Sequence, residues 1–359
     1  MTLGGSRGYT ARMFDSATSV VLAILALGLL IAVHELGHYL AARLTGMRVI
    51  RFSIGFGPAL YVWTRKEIEY ALSAIPLGGY VHVFGMNPTE PGADEDPRSY
   101  QRRPRWARAV VIAAGPLFSY ALGVLCYFAF FYAAETVYTI AEVVPASAAA
   151  TAGLQPGDQI SHLDELRPPD GDAFGDYIDA HRGQAMRITL QRDGAELTLT
   201  AQLPAEPTDT GVLGVRYRVS PRVGRSQRSL GQALSASVTT TVAQSGAILV
   251  ALGRLVTSPS DVEVGGPPKI VRELKESAQR GVLDFIWLIA GLTVMFGLLN
   301  VLPVPALDGS KLLILGVEAV ARRSVPARFQ LAIHGVGFML LLALMVVVSV
   351  SDIWEWVAS

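Results

Sequence analysis

The sequence contains little cysteine and little charge. Cys126 is the single cysteine among 359 residues, which excludes a disulfide within the chain and a cysteine-rich zinc site. Charged residues make up 17% of the chain, and 30 basic residues balance 30 acidic ones. With a pI near 7.0, nothing points to a nucleic-acid partner. The sequence also shows no internal repeat, which argues against a transporter built from two related halves.

Apolar residues, in contrast, are abundant. They make up 51% of the chain, and the mean hydropathy is +0.39. This composition is too apolar for an ordinary soluble protein and too charged for a bundle that lies wholly within the membrane. We therefore expect a multi-pass α-helical membrane protein, in contact with the lipid bilayer, that also carries a soluble domain.

Four stretches are long and apolar enough to cross a bilayer, which takes about 20 residues. They cover residues 17–44, 107–134, 283–302 and 329–350. The first runs into a polar motif without a small-residue cleavage site, so we interpret it as a retained span rather than a signal peptide. A fifth stretch, 229–256, contains many Ser, Thr and Gln. We interpret it as an amphipathic helix at the membrane surface.

The most informative motif, His34-Glu35-Leu36-Gly37-His38, lies inside the first span. Two histidines four residues apart on a helix share one face, so both rings can bind one metal ion. Glu35 can then take a proton from a water molecule at the metal and pass it to a leaving amine. Ionisable groups at membrane depth are costly, which favours a functional role over a structural one.

A second polar motif, residues 300–309, ends the third span with two prolines that break the helix. Asp308 in this motif either caps the next helix or completes a metal site with His34 and His38. A catalytic zinc ion typically has three protein ligands and one open position. Iron or cobalt would suit the same ligands. Asn300 either bridges the broken helix or aligns a substrate backbone.

Residues 52–86 show the alternation and the turn glycines of a half-buried β-hairpin. An open sheet edge is tolerated at membrane depth only beside protein or a cavity. The edge of this hairpin would suit the addition of an extended peptide. Within it, Gly55-Phe56-Gly57 forms either a tight turn or a substrate contact.

A separate soluble α+β domain is expected over residues 136–222. Its string Ala152-Gly153-Leu154-Gln155-Pro156-Gly157-Asp158 resembles the PDZ domains of bacterial proteases, which bind a peptide or a free C-terminus by strand addition. Residues 17–135 and 283–359 then form the two parts of the membrane core, and residues 223–282 form a membrane-surface region.

Basic residues predict the orientation, because cytoplasmic loops carry an excess of Lys and Arg. The loop after the first span contains seven arginines and Lys66, and the loop between the last two spans contains Arg322, Arg323 and Arg328. We expect both loops on the cytoplasmic side of a bacterial inner membrane. The active site would then face the cytoplasm, and the PDZ-like domain would be extracytoplasmic.

Taken together, these parts resemble the site-2 protease family of intramembrane zinc metallopeptidases. Their order is most similar to the regulator-of-sigma-E protease branch. The resemblance also rests on Gly115-Pro116 and Gly265-Gly266-Pro267. It implies that His34, His38 and Asp308 bind one zinc ion and that Glu35 is catalytic. It implies as substrates single-span membrane proteins already trimmed by another protease, of the anti-sigma-factor type.

Several features depart from the usual pattern of that branch. Pro268-Lys269 replaces an apolar-glycine pair, and one PDZ-like unit is visible where the best-known members have two. Ser119 stands where asparagine is common, and Ser310-Lys311 replaces Gly-Arg after the aspartate. A hydroxyl can still hydrogen-bond, so Ser119 remains a candidate substrate contact. The main alternative function is a membrane scaffold or chaperone that binds single-span proteins around an inactive or structural metal. The presence of Glu35 argues against this alternative.

Overall fold

The computed structural model describes residues 16–167, 171–206, 211–224, 228–258 and 265–358. The chain divides into two compact units. One comprises Met1–Tyr127 and Ser237–Ser359, and the other comprises Phe128–Ala236. The first unit contains most of the long apolar helices and a β-hairpin, and the second contains a five-stranded sheet.

The described residues form nine α-helices and seven strands. The helices are α1 (Ser16–Leu44), α2 (Arg105–Ala133), α3 (Ala148–Ala152), α4 (Gly171–Ala180), α5 (Leu230–Thr257), α6 (Pro267–Arg280), α7 (Val282–Val301), α8 (Asp308–Ala321) and α9 (Ala327–Ala358). A 3-10 turn covers Tyr100–Arg102. The strands are β1 (Val49–Arg65), β2 (Ile68–Val83), β3 (Ala134–Val143), β4 (Gln159–Leu163), β5 (Ala185–Arg192), β6 (Ala195–Gln202) and β7 (Val215–Val223).

Five of these helices, α1, α2, α5, α7 and α9, are long and apolar enough to cross a membrane. Each of the four predicted spans coincides with one of them, so the prediction of a helical membrane protein is confirmed. The predicted count of four is not confirmed, because α5 also qualifies over Leu230–Leu255.

The side chains of α5 differ from those expected of a helix at the membrane surface. Its polar residues Ser237 and Thr241 are buried, and Ser245 Oγ lies 3.2 Å from the Tyr120 hydroxyl of α2. From Val242 to Val250, every exposed residue is apolar or glycine. A surface helix would keep its polar side towards water, so this distribution favours contact with lipid.

The hairpin of β1 and β2 confirms the β-rich segment predicted for residues 52–86. Its strands pair from Val49 opposite Val83 at the base to Arg65 opposite Ile68 at the tip. Residues 51–54 of β1 pair with residues 79–82 of β2 on one side and with residues 69–72 on the other. The base is buried, whereas the tip exposes a row of large apolar side chains. They are Leu60, Tyr61, Val62 and Trp63.

The second unit is built around an antiparallel sheet with the strand order β6-β5-β4-β3-β7, so β7 is an edge strand. Tyr138, Ile160, Phe174 and Ile188 lie in its core and are almost fully buried. The predicted domain limits of 136–222 fall inside this unit. The likeness to a PDZ domain stays a prediction.

Close helix crossings bring the parts of the first unit together. A Cβ added at Gly37 of α1 would collide with the carbonyl oxygen of Ala114 in α2. A Cβ added at Gly297 of α7 would lie 3.1 Å from Ser119 Cβ of α2. Small residues at such crossings let helix backbones approach closely in membrane proteins. Helix α2 therefore packs directly against the motif of α1 and against the end of α7.

Candidate metal centre

Three side chains from two helices meet in the first unit. His34 Nε2 and His38 Nε2 of α1 lie 3.2 and 3.0 Å from Oδ2 of Asp308 in α8. The two Nε2 atoms are 3.3 Å apart. Each residue offers one ligand atom, and these atoms all lie within 4.8 Å of one another. The structure thus brings together all three predicted metal ligands.

The local sequence explains how the ligands reach this point. The histidines share one face of α1 because a helical turn has about 3.6 residues. Asp308 is the first residue of α8, just after the proline-broken end of α7. A Cβ at Gly309 would collide with the carbonyl oxygens of Val301 and Leu302, so the turn into α8 needs glycine.

Asp308 does not cap α8, the alternative role that its place in the sequence allows. The N-cap residue of α8 is Leu307, and no side chain forms a capping hydrogen bond there. Asp308 is instead directed towards the histidines, and it is 9% exposed. Its other oxygen, Oδ1, accepts a hydrogen bond of 3.1 Å from Lys311 Nζ.

The outer nitrogens of both rings are held by α2. His38 Nδ1 lies 2.8 Å from the carbonyl oxygen of Val111, which can only accept, so Nδ1 carries the proton. In the neutral ring, Nε2 is then a lone-pair acceptor. His34 Nδ1 lies 3.0 Å from Ser119 Oγ. Such outer contacts fix the tautomer and orientation of histidines that bind metals.

The donor set fits a zinc ion on this geometry. The lone pair of the neutral His38 ring faces a carboxylate oxygen, so two acceptors meet. A cation among them would relieve the repulsion, and nitrogen and carboxylate ligands with no cysteine suit zinc. The histidines are 2% and 6% exposed, so water does little to stabilise the cluster.

Glu35, the predicted catalytic base, lies next to this cluster and is held by the hairpin. The Val81 N–H of β2 donates a 3.1 Å hydrogen bond to Glu35 Oε2. A Cβ at Gly79 would lie 3.7 Å from Glu35 Cγ. The spacing of the motif did not predict this contact, because it depends on where β2 packs along α1.

Gly115 is a site residue that the sequence noted only as part of a resemblance. A Cβ at this position would collide with Nε2 of His38 and lie 2.8 Å from Nε2 of His34. The backbone of α2 therefore passes against the ligand atoms themselves. The Gly115-Pro116 pair was the only available signal, and it does not reveal which side chains the glycine faces.

The residues predicted to contact substrate have other visible roles. Ser119 is completely buried and contacts His34, so the structure gives it a positioning contact. Asn300 Nδ2 donates to the Phe296 carbonyl oxygen at 3.0 Å, within its own helix. The left-handed φ values of +90° at Gly55 and +83° at Gly57 suit a tight turn, while Phe56 is 46% exposed. Their substrate contacts stay predictions.

Comparisons with known proteins agree with this site. The chain matches the model of peptidase family M50 over residues 22–344. It is 34% identical over 363 residues to a candidate zinc metalloprotease of Agrobacterium fabrum, with 92% of this chain and 94% of the relative covered. A candidate zinc metalloprotease of Clostridium perfringens is 31% identical over 337 residues, with 93% and 98% covered. Metalloprotease MmpA of Caulobacter vibrioides is 32% identical over 372 residues, with 91% and 93% covered.

The matched region includes both halves of the metal centre, the histidines of α1 and Asp308 of α8. The predicted enzyme class and the predicted zinc cofactor are confirmed by the family and by the relatives. The apolar helices place the protein in a membrane. The chain belongs to peptidase family M50, the site-2 protease family, and is a membrane-embedded zinc metalloprotease.

Proposed function

We propose that this protease cleaves within the membrane-spanning segments of single-span proteins that another protease has already trimmed. The anti-sigma-factor type, processed by regulated intramembrane proteolysis, is the substrate class that we expect, and signal-peptide remnants are the second class. The observation that carries the proposal is the convergence of His34, His38 and Asp308 within an apolar helix bundle, beside an anchored Glu35. The order of motifs supports a place in the regulator-of-sigma-E protease branch.

The roles of the residues follow from their positions. His34, His38 and Asp308 would hold zinc, which when bound polarises a scissile carbonyl and makes a nearby water more acidic. Glu35 accepts the proton of that water and later gives it to the nitrogen of the leaving amine. The Val81 N–H holds Oε2 of Glu35 so that the carboxylate need not reorient when the substrate arrives.

The substrate must become extended before it reacts. Peptide carbonyls in a helix are hydrogen-bonded and shielded by side chains. Residues 76–81 of β2 run along α1, since a Cβ at Gly28 would lie 2.7 Å from the Pro76 carbonyl oxygen and Gly79 lies beside Glu35. An unwound substrate segment that pairs with the hairpin would therefore lie next to Glu35.

Unwinding is tested by changing the substrate rather than the enzyme. Helix-weak residues in the substrate span should raise the cleavage rate, and replacement by leucine should lower it. Equal rates for the two substrates would contradict the unwinding step.

Contact with the hairpin is tested by crosslinking, which the single native cysteine makes simple. In a Cys126→Ser background, a cysteine at the exposed Tyr80 of β2 should crosslink to a cysteine in the substrate span. A cysteine at Val320 of α8, which is 88% exposed, serves as the control. Equal crosslinking at both positions would argue against strand addition at the hairpin.

The second unit is proposed to bind peptide in the manner of a PDZ domain. The edge strand β7 has one side without a partner strand among the described residues, which suits strand addition. Placed outside the inner membrane, this unit would hold a newly formed C-terminus or exclude substrates with a large ectodomain. Deletion of residues 142–203 should loosen or impair the selection of trimmed substrates. Unchanged selection would contradict the gating role.

The orientation is proposed from the charge of the loops. Accessibility labelling of a cysteine introduced near Arg322 should place the α8–α9 connection in the cytoplasm, and labelling of one introduced near Glu165 should place the second unit outside. Labelling of both from the same side would overturn this topology.

A further inference from the structure

The two carboxylate oxygens of Asp308 have different partners. Oδ2 lies 3.2 and 3.0 Å from Nε2 of His34 and of His38, and Oδ1 lies 3.1 Å from Nζ of Lys311. Lys311 is one helical turn further along α8. The side chain of Asp308 is 11% exposed, and that of Lys311 is 33% exposed. The carboxylate is thus held between the metal ligands on one side and a lysine on the other.

Helix α8 is held in place, so the two oxygens of Asp308 keep their different partners. Ser310 Oγ donates to the Leu307 carbonyl oxygen at 2.7 Å. Further along α8, Glu318 forms a 3.2 Å ion pair with Arg108 of α2. Its second oxygen accepts the Val325 N–H at 3.0 Å. Helix α8 is therefore anchored to α2, the helix that also orients both histidines.

Lys311 has no other acid to pair with among the described residues around it. It lines a small cavity of about 70 Å³ together with Tyr100, Arg108, Glu318 and His334. Glu318 is the acid in this lining, and Arg108 already neutralises it. The ammonium group of Lys311 is instead directed to Asp308, which does not line the cavity.

A cation at this position is otherwise hard to explain. A positive charge close to a metal ligand repels the metal ion and weakens its binding. An unpaired carboxylate oxygen, however, can bind the metal as well as its neighbour does. A catalytic zinc ion has three protein ligands and needs an open position for water. A lysine that occupies Oδ1 would protect that open position.

We propose that Lys311 is a positioning residue that keeps Asp308 a one-oxygen ligand. The inference rests on the proposed zinc set of His34, His38 and Asp308. In this account, Lys311 fixes the coordination number rather than the strength of binding. It also gives a role to the Ser310-Lys311 pair, which departs from the Gly-Arg pair that is more common after the aspartate.

Cobalt replacement tests the coordination directly, without relying on cleavage. The purified full-length protein in detergent is stripped of metal and titrated with Co²⁺. The wild type should bind one Co²⁺ per chain with the intense visible absorption of a four-coordinate site. Lys311→Met should still bind one Co²⁺ per chain. Its visible absorption should fall to about half or less as the second oxygen also binds.

Three further variants make the result decisive. Lys311→Arg should restore the intense spectrum, because a guanidinium can also occupy Oδ1. Lys275→Met, which removes a lysine from α6, should leave the spectrum unchanged. His34→Ala should lose the cobalt spectrum. A Lys311→Met spectrum equal to that of the wild type would overturn the role of Lys311. Unchanged cobalt binding by His34→Ala would overturn the metal site itself, and the role of Lys311 with it.

Discussion

Among the described residues, each of the two units contains one buried aspartate in an ionic cluster, and the two clusters are built differently. Asp158 in the second unit is 1% exposed and Asp308 in the first is 9% exposed. Arg192 donates 2.7 Å hydrogen bonds to both oxygens of Asp158. The Gln155 N–H donates a third bond at 2.8 Å. Asp308 instead directs one oxygen at two histidine nitrogens, of which that of His38 is an acceptor in the neutral ring.

The difference separates a structural acid from a functional one. All the partners of Asp158 are donors, so the turn before β4 is complete in itself, and its charge is paired. The partners of Asp308 include the lone pair of the neutral His38 ring, so the contact at Oδ2 becomes favourable when a metal ion or a proton lies between the two acceptors. Burial and charge alone do not distinguish the two sites, whereas the donor and acceptor roles of the partners do.

The largest expected difference between the two aspartates is in zinc content. Asp308→Ala removes one of three ligands and should lower zinc affinity by more than about 100-fold, with loss of cleavage, because even outer-shell changes often cost about 10- to 100-fold. Asp158→Ala should leave one zinc per chain. Metal analysis of the purified variants measures both. One zinc per chain in Asp308→Ala would contradict the assignment of Asp308 as a metal ligand.

The next largest effect is expected where the backbone of α2 lies against the metal ligands, at Gly115. Gly115→Ala places a Cβ against the ring of His38. It should lower the cleavage rate by about 100-fold, since displacements of about 1 Å are that damaging at a reacting centre. Gly316→Ala in α8 is the matched control, because an added Cβ there meets nothing within 4 Å. Equal rates for the two variants would show that α2 does not constrain the ligands.

Removal of the Ser119 hydroxyl, which contacts His34, should have a moderate effect on zinc affinity. Ser119→Ala removes the contact at Nδ1 and should weaken zinc binding by about 10- to 100-fold. Ser277→Ala is the control, since Ser277 is equally buried but donates only to the Leu274 carbonyl oxygen of its own helix. A chelator competition assay gives both affinities. If Ser119→Ala matched its control, the hydroxyl would have no part in orienting the ligand.

Features of the fold and the site that are set by residues close together in the sequence can be predicted, whereas contacts between distant segments cannot. The spans of α1, α2, α7 and α9 follow from runs of apolar residues, and the two histidines follow from helical spacing. The contacts of Gly115, Ser119 and Val81 could not be predicted, because they depend on which elements pack side by side. The sequence does not show which helices and strands are neighbours in the fold.

Helix α5 shows that mean hydropathy alone does not distinguish a membrane span from a helix at the membrane surface. Its Ser, Thr and Gln residues lower its hydropathy to 1.3, the lowest among the candidate spans, and they suggested a surface helix. In the structure, some of its polar residues contact another helix. Gln244 accepts a hydrogen bond from the Tyr127 hydroxyl, and Ser245 lies beside Tyr120. Composition counts polar residues but does not indicate whether water or protein satisfies them.

The smallest expected effect is a pH dependence confined to the second unit. Burial raises the pKa of the Asp158 carboxyl, but the hydrogen bonds of Arg192 and Gln155 and the charge of Arg192 lower it more, so the pKa lies below its ordinary value of 3.8. The resulting stability is complete above that ordinary value. It is lost as the pH falls through the lower pKa of the folded state.

Hydrogen exchange of β4 and β5 in the full-length protein measures this loss on acidification. Asp158→Asn should remove much of the pH dependence, and Asp193→Asn, at an exposed turn, should leave it intact. A dependence that survives in Asp158→Asn would assign it to other groups.

The most direct test of the account is cleavage of a trimmed single-span substrate by wild type and by Glu35→Gln, with zinc measured in both. The account predicts equal zinc content and a loss of rate of about 100- to 10,000-fold, the usual contribution of a general base. Cleavage at the wild-type rate by zinc-loaded Glu35→Gln would contradict the assignment of Glu35 as that base.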